Sequence, residues 1–157
     1  MDTSAKNKQA GLSIEEERRI FHEGIRLFNE GLFFEAHEEW EEIWSRVADK
    51  KREQFYRAII QGAVTLELLR RGEAVGVRQV LVSCTDLFYD LLGVFIGLDI
   101  PAFIDKLRHA ISDAIDDLES RTVQVDPARL FRIELNYDPF EDFRNGEIVA
   151  TRPPGEL

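Results

Sequence analysis

The amino-acid sequence predicts an all-α protein: a compact bundle of about five helices built from two helical hairpins, with an extended or short β-hairpin C-terminal tail. Three observations predict it. Apolar residues recur at helical spacing in successive stretches from Ser13 to about Arg121. Glycine stop signals, Gly31 and Gly72, separate them. A segment also repeats at an offset of 41 residues: Leu27-Phe28-Asn29-Glu30-Gly31 with Phe34 and Ala36 is echoed by Leu68-Leu69-Arg70-Arg71-Gly72 with Val75 and Val77. Each copy reads as a helix, a glycine turn and an amphipathic helix, and two copies are too few for a solenoid.

The elements follow in order. Residues 1–12 read as a disordered tail, 13–121 as the bundle and 122–157 as an arm packed on it. Ser13 with Glu16 has capping-box spacing, and Ile14, Ile20, Phe21, Ile25 and Phe28 carry a first helix to Asn29. A second helix runs from Leu32 or Phe33 to about Val47. On a wheel of about 100° per residue, Phe33, Ala36, Trp40, Ile43, Trp44 and Val47 face the core, while Glu35, Glu39, Glu42 and Arg46 face water. A third helix, about Glu53 to Arg70, is apolar nearly all round and so central. Its exceptions, Arg57, Gln61 and Thr65, form one polar line, and Gly62 beside them permits close approach of another backbone. A fourth helix covers about Glu73 to Leu92, and Gly93 to Asp99 is a loop. Asp99 and Pro101 suit the start of a fifth helix reaching about Arg121. In the tail, Phe131, Ile133 and Leu135 alternate with polar residues at the period of a strand, and Asn145-Gly146 signals a turn.

Composition narrows the function. The chain has 157 residues, 44% hydrophobic and 32% charged, with a formal net charge of -10. Tracking a phosphate backbone needs a basic face, so no nucleic-acid partner is expected. No apolar run is long enough to span a bilayer and no secretory signal precedes the bundle, so no membrane partner is expected and the location reads as cytoplasmic. The single cysteine, Cys84, allows no intrachain disulfide and reads as a buried thiol. The phosphate loop, the Gly-x-Ser-x-Gly elbow and the Cys-x-x-Cys pair are all missing. His22 and His109 have no neighbours of matching chemistry. The Glu15–Glu17 run complements a helix start, and Asp113, Asp116 and Asp117 read as a solvated face.

One constellation stands out. His37 and Glu41 lie one turn apart at the edge of the apolar arc of the second helix, beside Trp44, with Glu38 further round. A buried amide or guanidinium needs a partner, so Arg57 and Gln61 of the third helix are expected to face His37, Glu38 and Glu41 in one shared pocket. Asn29-x-Gly31, Phe33-Phe34-Glu35-x-His37-Glu38, Glu41 and Trp44, then Phe55-Tyr56-Arg57 and Ile60-Gln61-Gly62-Ala63, resemble the signature of the DUF309 family of small helical proteins without an assigned reaction. The resemblance runs from about Ile20 to Leu118. It implies an all-α bundle and marks His37, Glu38, Glu41, Trp44 and Gln61 as the cluster.

Two functions stay open. The first is a non-catalytic binding or interaction module, the cluster organising helix packing or a groove for a peptide or small molecule, with Trp44, Arg57, Gln61 and Tyr56 as binding residues and Trp40 or Trp44 as an aromatic wall. The second is a small metal-assisted or acid–base enzyme with His37, Glu38 and Glu41 as catalytic candidates. As metal ligands these three are weak: the fourth residue after His37 is Glu41 rather than histidine, and no histidine has glutamate three residues before it. No cofactor is indicated. Self-association through apolar helix faces is allowed by the composition, and no feature of the sequence fixes it.

Overall fold

The computed structural model of the chain describes residues 11–91 and 93–152. Helix α1, Ile14–Asn29, starts where expected: the Ser13 hydroxyl accepts from the Glu16 amide at 3.1 Å, satisfying a donor that the first turn leaves free. Helix α2, Phe33–Trp44, ends a turn earlier than its stripe suggested. Helix α3, Lys50–Arg70, begins a turn earlier than expected because Asp49 caps it, accepting from the Arg52 amide at 2.8 Å. Helix α4, Ala74–Phe88, leads into a 3₁₀ turn, Tyr89–Leu91.

The all-α expectation holds, and the repeated turns account for it. At the first, Gly31 donates to the Phe28 carbonyl and Leu32 to that of Leu27, both at 2.9 Å. At the second, Gly72 donates to Leu69 at 2.9 Å and Glu73 to Leu68 at 3.0 Å. The same pattern recurs 41 residues on, closed both times by a glycine of positive φ, +80° and +78°. Consecutive helices therefore fold back on one another, and α3 lies between α2 and α4. No helix among the described residues is long and apolar enough to cross a membrane.

A tryptophan seated on a glycine joins α1 to α2. Trp40 is fully buried, and its indole N–H donates to the Phe21 carbonyl at 3.1 Å. The ring lies where a side chain on Gly24 would stand: a Cβ there would meet Trp40 Nε1 at 2.0 Å. Phe21, beside it, packs edge-on against Phe55 and Tyr56 of α3 and at a tilt against Phe140 of the tail. Gly62 plays a comparable part on α3, but what approaches it is an aromatic ring, Phe103, rather than a backbone.

Three expectations give way in the second half. The stretch read as a loop holds the two strands of a small antiparallel sheet, β1 (Val94–Phe95) and β2 (Leu98–Asp99), joined by Ile96-Gly97, both of positive φ, the geometry of a two-residue hairpin turn. The fifth helix is split: α5, Ile100–Ala110, capped by Asp99, stops at Ile111, and a short α6, Ser112–Asp116, follows. Beyond the break, Arg78 of α4 takes the carbonyls of Ala114, Asp117 and Ser120 at 2.9, 3.3 and 2.7 Å and holds α6 and the turn after it. Thr122 then pairs with Glu73 at the α3–α4 turn.

The tail contains no strand among the described residues, only the 3₁₀ turns Pro127–Arg129 and Phe143–Asn145. Its alternation has another cause. The chain runs extended over the bundle with Ile133, Tyr137 and Phe140 buried, and its backbone bonds go to scattered partners. The Asn29 side chain accepts from the Ile133 amide at 2.6 Å and donates to the Ile133 carbonyl at 3.0 Å, and Asn136 donates to Gly97 at 2.7 Å. Of the tail expected at 1–12, residues 1–10 lie outside the described residues, as do Leu92 and residues 153–157.

Gly24→Ala tests the α1–α2 contact. A methyl group there forces the indole off its seat, and a loss of about 3 kcal/mol is expected in urea or thermal unfolding.

Candidate functional site

Helix α2 splits its residues by face. Phe33, Ala36, Trp40 and Ile43 are buried, while Leu32, Phe34, Glu35, Glu38, Glu41 and Glu42 are exposed. His37 sits half-buried on the border. Its Nε2 lies 2.8 Å from Glu41 Oε1 and its Nδ1 2.6 Å from the Phe34 carbonyl. Both neighbours are acceptors, so which of the two hydrogen bonds forms follows the nitrogen that carries the proton. The Phe34 ring stands edge-on to the imidazole at 5.0 Å, and the Arg71 guanidinium lies 5.7 Å from its centroid. Arg71 is held by Glu67 at 2.8 Å, which also takes Arg70 at 2.6 Å. Burial raises the Glu67 carboxyl, and the bonds from Arg70 and Arg71 outweigh it, holding the group below the ordinary value.

The shared buried pocket expected between α2 and α3 does not form. Among the described residues no hydrogen bond or ion pair joins His37, Glu38 or Glu41 to Arg57 or Gln61. Arg57 pairs instead with Glu53 on its own helix at 3.7 Å, and its guanidinium lies 6.0 Å from the half-buried Trp44 ring, the one link between the two sets. Gln61 contributes only its carbonyl, to the Thr65 hydroxyl at 2.8 Å. The physical reason lies in exposure. Arg57, Glu41 and Glu38 reach water, so none needs a partner on the neighbouring helix. Trp40 is excluded as a groove wall because it is core. Arg46, expected in water, is half-buried and donates to the Gly11 carbonyl at 3.0 Å.

The most deeply buried carboxylate among the described residues is elsewhere. Glu17 of α1 is sealed between helices and accepts from the Tyr56 hydroxyl at 2.5 Å and from Arg52 at 3.1 and 3.3 Å. Burial pushes the Tyr56 phenol well above its usual range, and the Glu17 charge and hydrogen bond push it the same way. Tyr56 is therefore a structural donor here, not a wall open to a ligand. The signal was present in the sequence: Glu17 falls three residues after Ile14 and four before Phe21, on the apolar stripe itself.

Chemically, the surface pair has few options. Among the described residues no three His, Cys, Asp or Glu side chains come together as a metal-ligand set. His37 would have to turn from the Phe34 carbonyl or give up Glu41 before either nitrogen could ligate. A depression of about 720 Å³ over α1, lined by Arg18, Arg19, His22, Arg26 and Glu39 among others, contains none of the predicted residues.

The chain is a bundle of paired helices with a polar pair at the surface of α2. More particularly, residues 21–80 match the model of DUF309, a domain of unknown function. That stretch runs from α1 through α2 and α3 into α4 and holds the whole motif, so the resemblance holds over it. An uncharacterized protein from Aquifex aeolicus (strain VF5) is similar, 27% identical over 100 residues, which is 61% of this chain and 30% of that protein. The match thus spans less than a third of that relative's length.

Two outcomes follow from the buried groups. Arg52→Ala leaves the Glu17 carboxylate buried with only a phenol, and a loss of about 3–5 kcal/mol is expected in urea unfolding. Burial pushes the Cys84 thiol up to about 12 from an ordinary 9.0, with Arg108 opposing slightly. A folded pKa above the unfolded one gives stability that is full below pH 9 and lost as pH climbs toward 12. Cys84→Ala should flatten that fall, read as Tm against pH, and the native thiol should stay unalkylated by iodoacetamide at pH 8.

Proposed function

We propose that this protein is a non-catalytic, cytoplasmic interaction module that takes a peptide segment of a partner protein on the outer edge of α2. The observation that carries the reading is Phe34. It is a large aromatic side chain, 39% exposed, near both the His37 ring and the Arg71 guanidinium, with exposed Leu32 just before the same helix. An exposed aromatic flanked by oriented polar groups is the composition of a binding anchor. The bonds from His37 to Glu41 and to the Phe34 carbonyl hold the imidazole in one orientation beside that ring. Glu38 and Glu41, open to water, favour a partner segment with basic residues next to an apolar side chain.

The alternative, a metal-assisted or acid–base enzyme using His37, Glu38 and Glu41, has less in its favour. Each nitrogen of His37 faces an acceptor, and no third ligand converges on the pair among the described residues.

Phe34→Ala and His37→Ala are expected to leave Tm within a few degrees, since both positions lie at the surface. Proteins captured from a cytosolic extract by the wild type should be lost from both variants when the eluates are compared by mass spectrometry. Capture that survives Phe34→Ala sinks the reading. Stoichiometric metal in the purified protein, lost on His37→Ala without unfolding, moves the assignment to the enzyme.

A further inference from the structure

A second surface stands apart from the Phe34 edge. Helix α4 buries Ala74, Val77, Leu81, Cys84 and Phe88. Its other face carries Val75, Gln79, Val82, Asp86 and Tyr89, within roughly 80° of arc at 100° per residue. Val75, Val82 and Tyr89 are 40%, 57% and 73% exposed. They are spaced by seven, the interval at which one helix meets another along a seam. Tyr89 opens the 3₁₀ turn but keeps helical dihedrals, φ -53° and ψ -45°, so the line is unbroken. It runs about 21 Å at 1.5 Å per residue. Leu118, 69% exposed, extends the apolar surface, since it lies between Asp117 and Ser120, whose carbonyls Arg78 holds.

Charge points to the occupant. The chain carries a net -10, and its carboxylates crowd the start of α1, the outer arc of α2 and residues 113–117. The arc itself holds one, Asp86, with Asp90 beyond Tyr89 at its end and Asp117 and Glu119 beside Leu118. A second copy laid along the arc therefore meets little like-charge repulsion.

The seam is also its own complement when reversed, as an isologous contact requires. A two-fold axis at Val82 sets Val82 on its copy and Val75 on the copy's Tyr89. Arg78 and Asp86 are each four residues from Val82, so each meets the other's counterpart. Neither forms an ion pair among the described residues: Arg78 has only carbonyl partners, and Asp86 has none. A parallel pairing would instead set Asp86 on Asp86. We propose that the protein forms a homodimer through an antiparallel α4–α4 seam centred on Val82. A four-turn seam flanked by Leu118 is at the small end of stable interfaces, so the dimer is reversible and concentration-dependent.

Sedimentation of the full chain over a hundredfold range of concentration tests this. The wild type should pass from monomer to dimer mass, and Val82→Glu, at an exposed position, should stay monomeric with an unchanged circular dichroism spectrum. Single cysteines fix the direction, because Cys84 is sealed and does not compete. Val82→Cys should oxidise to a covalent dimer, Val75→Cys alone should not, and Val75→Cys with Tyr89→Cys should. A wild type that is monomeric throughout, a Val82→Glu variant that still dimerises, or a disulfide from Val75→Cys alone overturns the proposal.

Discussion

The seat of Trp40 on Gly24 is the constraint from which much of the remaining geometry follows. The indole occupies the space a side chain on Gly24 would need, and its N–H satisfies itself on the Phe21 carbonyl of the same helix. With α1 and α2 fixed in this way, Phe21 projects past the indole to meet Phe55, Tyr56 and Phe140, three elements in one aromatic cluster. The α2 face opposite Trp40 is then necessarily outward. That is why Phe34 and Glu38, two residues to either side of the buried Ala36, end in solvent.

The placement of charge follows the same economy of space. The interior admits Glu17 because Tyr56 and Arg52 supply the donors that its oxygens lost on leaving water. It admits Glu67 at the edge because two arginines cover it. His37 and Glu41, by contrast, keep access to solvent. An interior carboxylate so fully satisfied reads as a device of packing, whereas a surface imidazole locked by two acceptors next to an exposed ring reads as a device of recognition.

The first four helices were legible because short-range signals set them: Ser13 for a cap, Gly31 and Gly72 for stops, and a 3.6-residue period between. The expected cluster failed because a helical wheel ranks residues by angle and does not report distance across an interface; Arg57 lies at the right angle and reaches only the Trp44 ring, and neither it nor Gln61 bonds His37, Glu38 or Glu41 among the described residues. Gly24 went unnoticed since a glycine inside a helix has no local signature, and its role appears only when the indole is laid on it. Of the two readings of the tail, the extended arm stands and the strand falls, for a related reason. Alternating Phe131, Ile133 and Leu135 report an extended chain with one face covered, which a strand and a strapped-down arm share. The turn that ends α6 is held by Arg78, more than thirty residues away in sequence.

The clasp between Asn29 and Ile133 has a consequence of its own. A single carboxamide supplies one acceptor and one donor, aimed at the amide and carbonyl of the same residue, as a neighbouring strand would. No other side chain of that length offers both. Aspartate is nearly the same shape, yet it would keep one bond and turn the other into two oxygens facing each other. Hydrolysis of this one amide, a change of a single atom pair, would thus convert the fastening of the arm into a mild repulsion while leaving the four-helix body behind it intact.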